Sequence, residues 1–218
     1  MVFKEKDFVE IDFDIYANDK LVQTTNEKLG KENKLDIKEY KPQEMIVGSG
    51  FILKALDDTL IKDGKEKGFL ELETEQAYGK RKKEFIKTFP KSSFDEHKLR
   101  PVVGITYDFN GTYGTVKSVA GGRIMVDFNN PLAGKDIKLN YSINKKITDV
   151  KTKLRIVLES ILRMTPEMFD IVVKEKEITF FVPEQVIPIK DQLIKTLEEY
   201  IPEIKEYKVK FDILKIKS

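Results

Sequence analysis

The chain has 218 residues, and its 39 Lys and Arg residues nearly balance 37 Asp and Glu residues, giving a net charge of +2. This balance argues against binding of nucleic acid by phosphate neutralisation, which normally requires a basic surplus. The absence of Cys excludes disulfide bonds and thiolate chemistry, and the single His excludes a His-rich metal cluster. We therefore predict no metal and no cofactor.

The N-terminal segment MVFKEKDF is charged and lacks the apolar stretch that is typical of a signal peptide. No run of the chain approaches the roughly 18 apolar residues that a membrane-spanning helix needs. These two features predict a cytoplasmic protein that does not bind membranes.

The first forty residues are predicted to form strands. Apolar and polar residues alternate along one segment, which is the period of a half-buried strand; the apolar positions are Val9, Ile11, Phe13 and Ile15. Asn18-Asp19 provides turn residues, so residues 21–25 can return as a second strand. Leu35 and Ile37 predict a third short strand that ends at Pro42.

A single amphipathic helix is predicted next. Its apolar positions recur at spacings of three and four residues; they are Ile52, Leu53, Leu56 and Leu60. Asp63-Gly64 is predicted to end this helix. Residues 68–74 and 137–147 are predicted to form two further strands.

Residues 85–128 have a different composition. Seven of these residues are Phe or Tyr, and five of the twelve Gly residues of the chain fall here. Ile105, Tyr107 and Phe109 alternate into Asn110-Gly111, which is a strong hairpin signal. Two more strands are predicted around Gly121-Gly122, so this segment is predicted to be a small all-β unit.

The remaining residues predict an α+β unit. Residues 148–153 are polar and predict a linker, which is followed by helices at 154–162 and 189–201. Short strands are predicted at 169–173 and 178–182, and a final strand at the apolar positions Val209, Phe211, Ile213 and Ile216. A unit of this size has a small core, so self-association would help it, and a homodimer through this unit is one possibility.

Four segments in this order resemble the FKBP-type peptidyl-prolyl isomerases, in particular their SlyD-like long archaeal form. The segments are DFDIY (12–16), IVGSGFILKALDDTL (46–60), QAYGKRKKEFIKTFPKSSF (76–94) and MVDFNNPLAGKDIKLNYSI (125–143). The resemblance implies an α+β fold in which an antiparallel half-barrel sheet wraps one helix. It implies a discontinuous isomerase domain (1–84 plus 129–148), an insert-in-flap domain (85–128) and a C-terminal α+β domain (149–218).

The resemblance also implies an apolar pocket for proline. By position, the catalytic residues would be Phe13, Leu56 and Tyr78, and the substrate-binding residues would be Val22, Gln23, Ile52, Leu53 and Leu139. Leu56 stands where small eukaryotic members have Trp, and Gln23 stands where the family has a carboxylate. Both departures argue against tight binding of macrolide inhibitors.

The function that the resemblance implies is isomerisation of X-Pro bonds in unfolded polypeptides that the insert captures. The polypeptide-binding residues of the insert would be Ile105, Tyr107, Phe109 and Tyr113, although these aromatic residues could instead form the core of the insert. One alternative is a holdase chaperone without significant isomerase activity. A nucleic-acid or ribosome adaptor role for the C-terminal unit is disfavoured, since residues 151–218 carry 13 Lys and Arg against 12 Asp and Glu.

Overall fold

The computed structural model describes residues 2–214, so Ile216, which was predicted in the last strand, lies outside the described residues. The chain divides into two compact units. The first contains Met1–Ile15, Leu21–Phe69 and Leu139–Ser218, and the second contains Tyr16–Lys20 and Leu70–Lys138. The predicted α+β class is confirmed, while the predicted division into three domains stays a prediction.

The secondary structure comprises twelve strands and five α-helices within residues 2–214. The strands are β1 (Phe8–Ala17), β2 (Lys20–Thr24), β3 (Gln43–Ile46), β4 (Lys67–Leu72), β5 (Ile86–Pro90), β6 (Thr106–Phe109), β7 (Thr112–Ala120), β8 (Arg123–Asp127), β9 (Ile137–Lys146), β10 (Asp170–Lys174), β11 (Glu177–Val182) and β12 (Lys208–Ile213). The helices are α1 (Glu27–Glu32), α2 (Lys54–Asp63), α3 (Lys91–Glu96), α4 (Val150–Ser160) and α5 (Lys190–Tyr200). None of these helices is both long enough and apolar enough to cross a bilayer.

The first sheet has the strand order β2-β1-β9-β4, and β3 pairs antiparallel with β1. The alternation predicted for β1 is confirmed, because the side chains at its odd-numbered positions are all buried. Asn18 and Asp19 have φ values of 48° and 62°, as a two-residue hairpin turn requires. The turn that the sequence predicted therefore joins β1 to β2.

The strand predicted at Leu35 and Ile37 is wrong, because this part of the chain follows a helix and has no strand pairing. Asn26 caps α1 by accepting a hydrogen bond from the backbone N of Leu29 at 3.0 Å. At the other end of α1, the backbone N of Leu35 donates to the carbonyl of Gly30 at 3.0 Å. Leu35 is thus used to close the helix, and the next strand begins only after Pro42.

The helix α2 carries the predicted apolar stripe at Leu56 and Leu60, both fully buried. Ile52 and Leu53 lie before its first turn, since Leu53 has the extended φ and ψ of −155° and 136°. Gly64 ends the helix in the left-handed conformation, and its N donates to the carbonyl of Leu60 at 3.0 Å. The predicted end of the helix is confirmed.

The segment predicted as the insert (85–128, called the insert below) contains an antiparallel sheet of order β5-β8-β7-β6. Its hairpin turn at Asn110-Gly111 is confirmed, with φ values of 54° and 84°. The sequence did not indicate β5 or α3, whose apolar residues follow no clear period. The core of the insert consists of buried and half-buried side chains, which are Phe89, Phe94, Tyr107, Phe109, Val116, Ile124, Val126 and Phe128.

The segment that follows β9 contains α4, α5 and a three-stranded sheet of order β10-β11-β12. The linker predicted at residues 148–153 is wrong over most of its length, because Asp149 caps α4 by accepting from the backbone N of Thr152 at 2.8 Å. The strands β11 and β12 are parallel. Pro188 lies in a 3₁₀ turn that precedes α5, where its missing N–H costs little.

A buried apolar cluster of the first unit joins this segment to the first sheet. Phe8, Ile46 and Ile147 contact the same cluster as the buried side chains of the segment after β9, which include Leu154, Leu158, Ile171, Phe180, Leu193 and Leu197. The three residues are 3%, 1% and 7% exposed. Residues 149–214 therefore share a hydrophobic core with β1, β3 and Ile147, which directly follows β9.

Candidate functional site

The apolar residues of the predicted pocket are buried in the first unit. Phe13 on β1, Leu139 on β9 and Leu56 on α2 are 3%, 0% and 0% exposed. The strands β1 and β9 are neighbours in the sheet. Ile52 and Leu53 are also buried. The first unit thus provides apolar side chains from a sheet, a helix and the segment that leads into this helix.

The two predicted residues of β2 are more accessible. Val22 is half-buried, and Gln23 is exposed on a strand at the edge of the sheet. The amide of Gln23 therefore remains in contact with solvent. It carries no charge, so this position provides a hydrogen-bonding group instead of a carboxylate.

Tyr78 belongs to the second unit and lies in a turn between β4 and β5. Its side chain is half-buried, and burial raises the pKa of the phenol. A raised pKa keeps the hydroxyl protonated at neutral pH, so it can donate a hydrogen bond. The backbone after it is held by a hydrogen bond of 2.8 Å from the N of Gly134 to the carbonyl of Gly79.

The structure groups the predicted site residues by unit. Seven of the eight lie in the first unit, and Tyr78 lies in the second. The roles assigned to these eight residues stay predictions.

Asp57 is a further residue near the predicted pocket that the sequence did not single out. It follows Leu56 in the first turn of α2, and it is only 2% exposed. Its Oδ2 accepts a hydrogen bond from the backbone N of Gly50 at 2.7 Å. Its Oδ1 has no hydrogen-bond partner among the described residues. Asp57 therefore fixes the loop that leads into Ile52 and Leu53. This arrangement leaves one buried carboxyl oxygen without a hydrogen bond among the described residues, which is unfavourable.

This burial predicts a specific pH dependence of stability. Burial raises the pKa of Asp57, and the backbone hydrogen bonds of Gly48 and Gly50 only partly oppose it. A carboxyl whose pKa is higher in the folded state destabilises the protein as the pH rises from its unfolded pKa through its folded pKa. We therefore expect the free energy of unfolding of Asp57→Asn, relative to that of the unchanged chain, to increase as the pH rises over this range. Urea unfolding at several pH values measures the difference, and a pH-independent difference would contradict the assignment.

A polar network connects the two ends of the insert. Arg81 forms an ion pair with Asp127, which is 3% exposed. Asn129 accepts from the backbone N of Lys82 at 2.7 Å and donates to the carbonyl of Lys82 at 3.0 Å. Burial alone would raise the pKa of Asp127, but its hydrogen bonds with Asn129 and Arg81 hold the pKa below the ordinary value. The chain is thus fixed where it enters and leaves the insert.

The predicted polypeptide-binding residues of the insert differ in exposure. Ile105 is 49% exposed and Tyr113 is 67% exposed. Tyr107 and Phe109 are half-buried, and their rings pack edge-on against Phe94 at 5.7 and 5.8 Å. Tyr107 and Phe109 therefore contribute to the core of the insert, whereas Ile105 and Tyr113 lie on its surface.

The insert also has a groove of about 290 Å³ that is lined by both apolar and polar residues. The residues that line it are Phe89, Ser93, Phe94, His97, Leu99, Asp108, Phe109 and Asn110. Close to it in the chain lie three more exposed apolar residues, which are Val102, Val103 and Ile105. This amount of exposed apolar surface on a small unit is typical of a binding site.

Metal chemistry has no candidate site in residues 2–214, where no group of three or more His, Asp or Glu residues is arranged to hold an ion. The predicted residues offer apolar side chains in the first unit and, in the second unit, a phenol that can donate a hydrogen bond.

Comparisons with known proteins agree with the motifs. Residues 87–132 match the family model of the FKBP26 IF domain. The chain is 29% identical over 146 residues to the short-type peptidyl-prolyl cis-trans isomerase of Methanocaldococcus jannaschii, a match that covers 65% of this chain and 92% of the relative. It is 28% identical over 107 residues to the FKBP-type peptidyl-prolyl cis-trans isomerase SlyD of Helicobacter pylori, covering 47% of this chain and 58% of the relative.

The matched IF domain lies where the sequence predicts an insert between the two parts of the isomerase domain. Together with the ordered motifs on either side of it, these matches support an FKBP-type peptidyl-prolyl cis-trans isomerase.

Proposed function

We propose that this protein is a peptidyl-prolyl cis-trans isomerase and folding chaperone that captures unfolded polypeptide through its insert. The observation that carries the proposal is the match to two isomerases of the FKBP type, combined with an IF domain that exposes apolar surface. The substrate is a polypeptide with an X-Pro bond.

The proposed mechanism requires little chemical functionality. Rotation about the X-Pro bond crosses a barrier of about 18–20 kcal/mol, because amide resonance is lost in the twisted state. The twisted state is less polar across the C–N bond, so a dry apolar pocket favours it relative to the planar amide. The buried side chains of Phe13, Leu56 and Leu139 support such a pocket in the first unit.

Tyr78 would orient the substrate by donating a hydrogen bond to one of its carbonyl groups. A neutral hydrogen bond contributes only about 0.5–1.5 kcal/mol. We therefore expect Tyr78→Phe to lower kcat/KM for a proline tetrapeptide by roughly two- to twelvefold. A loss of a thousandfold would contradict this role and would indicate direct participation in catalysis. The unchanged far-UV circular dichroism of the variant serves as the control for folding.

The direct test of the proposed activity is the refolding of a protein whose slow phase is limited by a prolyl bond. We expect the full chain to accelerate this phase in proportion to its concentration. Magnetisation-transfer spectra of a proline peptide provide a second test, and cis and trans forms that exchange no faster with the protein present would refute isomerase activity.

A holdase without significant isomerase activity is the second candidate. It is favoured by Gln23, which replaces the carboxylate of the family, and by the exposed apolar residues of the insert. The two candidates differ in one measurement. Suppression of aggregation without acceleration of proline-limited refolding would leave only the holdase.

Two further proposals concern the whole molecule. Dimerisation through residues 149–218 would be tested by sedimentation of the full chain, and a monomer mass would refute it. A cytoplasmic location is the other proposal.

A further inference from the structure

A cleft of about 500 Å³ lies within the first unit, and none of its lining residues was predicted as a site residue. One wall consists of residues 41–44, which include the start of β3, and of residues 49–51, which follow β3. The other wall consists of residues from α4 and from the segment that follows it, ending at Arg163. The cleft is therefore built jointly by the start of β3, by the loop before α2 and by the segment after β9.

Most of the charged residues that line the cleft form ion pairs with other residues of the protein. Arg155 donates from Nη2 to Oε2 of Glu44 at 2.5 Å and from Nη1 to Oε2 of Glu159 at 3.1 Å. Lys41 forms an ion pair of 2.6 Å with Glu39. Both carboxylates that line the cleft are thus already occupied by a cation of the protein.

Arg163 is the exception among the lining cations. It is exposed, and no hydrogen bond or ion pair joins it to another residue of the part of the chain that the structure describes. Its guanidinium keeps five N–H donors in a planar arrangement that matches a carboxylate. The cleft therefore offers an unpaired cation to a ligand, and its two carboxylates are already engaged.

One residue that lines the cleft is adjacent in sequence to two residues of the predicted proline pocket. Phe51 lines the cleft, is 48% exposed, and directly precedes Ile52 and Leu53. An extended polypeptide advances about 3.3 Å per residue. A client chain whose proline lies at Ile52 and Leu53 would therefore bring the residue two or three positions away into the cleft.

We propose that this cleft is an accessory subsite for the client chain, and that Arg163 binds an Asp or Glu side chain located two or three residues from the proline. The inference rests on the proposed isomerase function and adds a substrate preference to it. The exposed ring of Phe51 provides apolar contact for the intervening residue. The subsite selects among clients by charge, and the chemistry at the X-Pro bond is unchanged.

The test compares peptides that carry one Glu, Gln or Lys two or three residues from the proline, on either side. The full chain is expected to turn over the Glu peptide about two- to fivefold faster in kcat/KM than the Lys peptide at one or more of these positions, the size of an exposed ion pair. This preference should fall at high salt, because exposed charges are screened. Arg163→Gln should abolish the preference, and Arg163→Glu should invert it.

Lys28→Gln is the matched control, since Lys28 is exposed on α1 and does not line the cleft. This variant should keep the preference of the unchanged chain. Turnover of the Gln peptide reports the proposed isomerase activity alone. If the Gln peptide is not turned over, the proposed function fails and the subsite fails with it. If the Gln peptide is turned over but the Glu and Lys peptides are equal at all positions, or the preference survives Arg163→Gln, only the subsite is refuted.

Discussion

Replacement of residues 87–126 by Asn-Gly is expected to leave the turnover of a short proline peptide nearly unchanged and to lower the turnover of an unfolded protein by about tenfold to a hundredfold. The reason is that the proposed capture of the client by the insert would raise the local concentration of its prolines near the proposed pocket, an effect that can reach a factor of 10² or more. A tetrapeptide is too short to use both sites. Parallel assays with the peptide and with proline-limited refolding measure the two effects.

The replacement is compatible with the structure because the two ends of the insert are adjacent. Ile86 pairs with Asp127 across β5 and β8, and the N of Phe128 donates to the carbonyl of Phe85 at 2.9 Å. Asn-Gly is the sequence that a two-residue hairpin between paired strands prefers. Keeping Asp127 also preserves its ion pair with Arg81.

Point substitutions provide a milder form of the same experiment. Ile105→Ser combined with Tyr113→Ser removes exposed apolar surface of the insert without opening its core. Ile189→Ser is the matched control, because Ile189 is 58% exposed and lies outside the insert. Turnover of the unfolded protein should fall only in the first variant. Equal turnover by all three chains would contradict capture by this surface.

The sequence predicted local structure well where one signal was dominant. The alternation of β1, the turn at Asn18-Asp19 and the hairpin at Asn110-Gly111 each depend on local sterics, and each is confirmed. Leu35 was predicted in a strand because its apolar character is compatible with several structures. Its backbone closes α1 instead, a role that the hydrophobic pattern does not encode.

The candidate site was predictable only in part for a similar reason. The apolar positions Phe13 and Leu56 could be assigned by motif, since burial follows from residue type and period. Asp57 has a charge that predicts exposure, and an acidic residue in the first turn of a helix is common on protein surfaces. Its burial against Gly50 depends on a loop conformation, and so does the position of Arg163 at the cleft.

The second large expected effect concerns the segment after β9. A chain truncated after Thr148 should be strongly destabilised, because Phe8, Ile46 and Ile147 would lose the side chains that cover them. Full burial of one such side chain contributes about 1.5–3 kcal/mol, and a typical domain has only about 5–15 kcal/mol in total. The chain has no Trp, so urea unfolding is followed by circular dichroism or Tyr fluorescence.

Two core substitutions in the full chain separate a shared core from an independent domain. Phe180 is fully buried and stacks on Phe211 at 5.2 Å, so Phe180→Ala should cost about 3–5 kcal/mol. Ile46→Ala on β3 should cost about 2–5 kcal/mol. Because both residues belong to one cluster, both variants should shift the same unfolding transition. Two results together would contradict a shared core: a stable truncated chain, and a Phe180→Ala effect that is confined to a separate unfolding transition. They would mean that residues 149–218 fold on their own and that Phe8 and Ile46 do not depend on this segment for their burial.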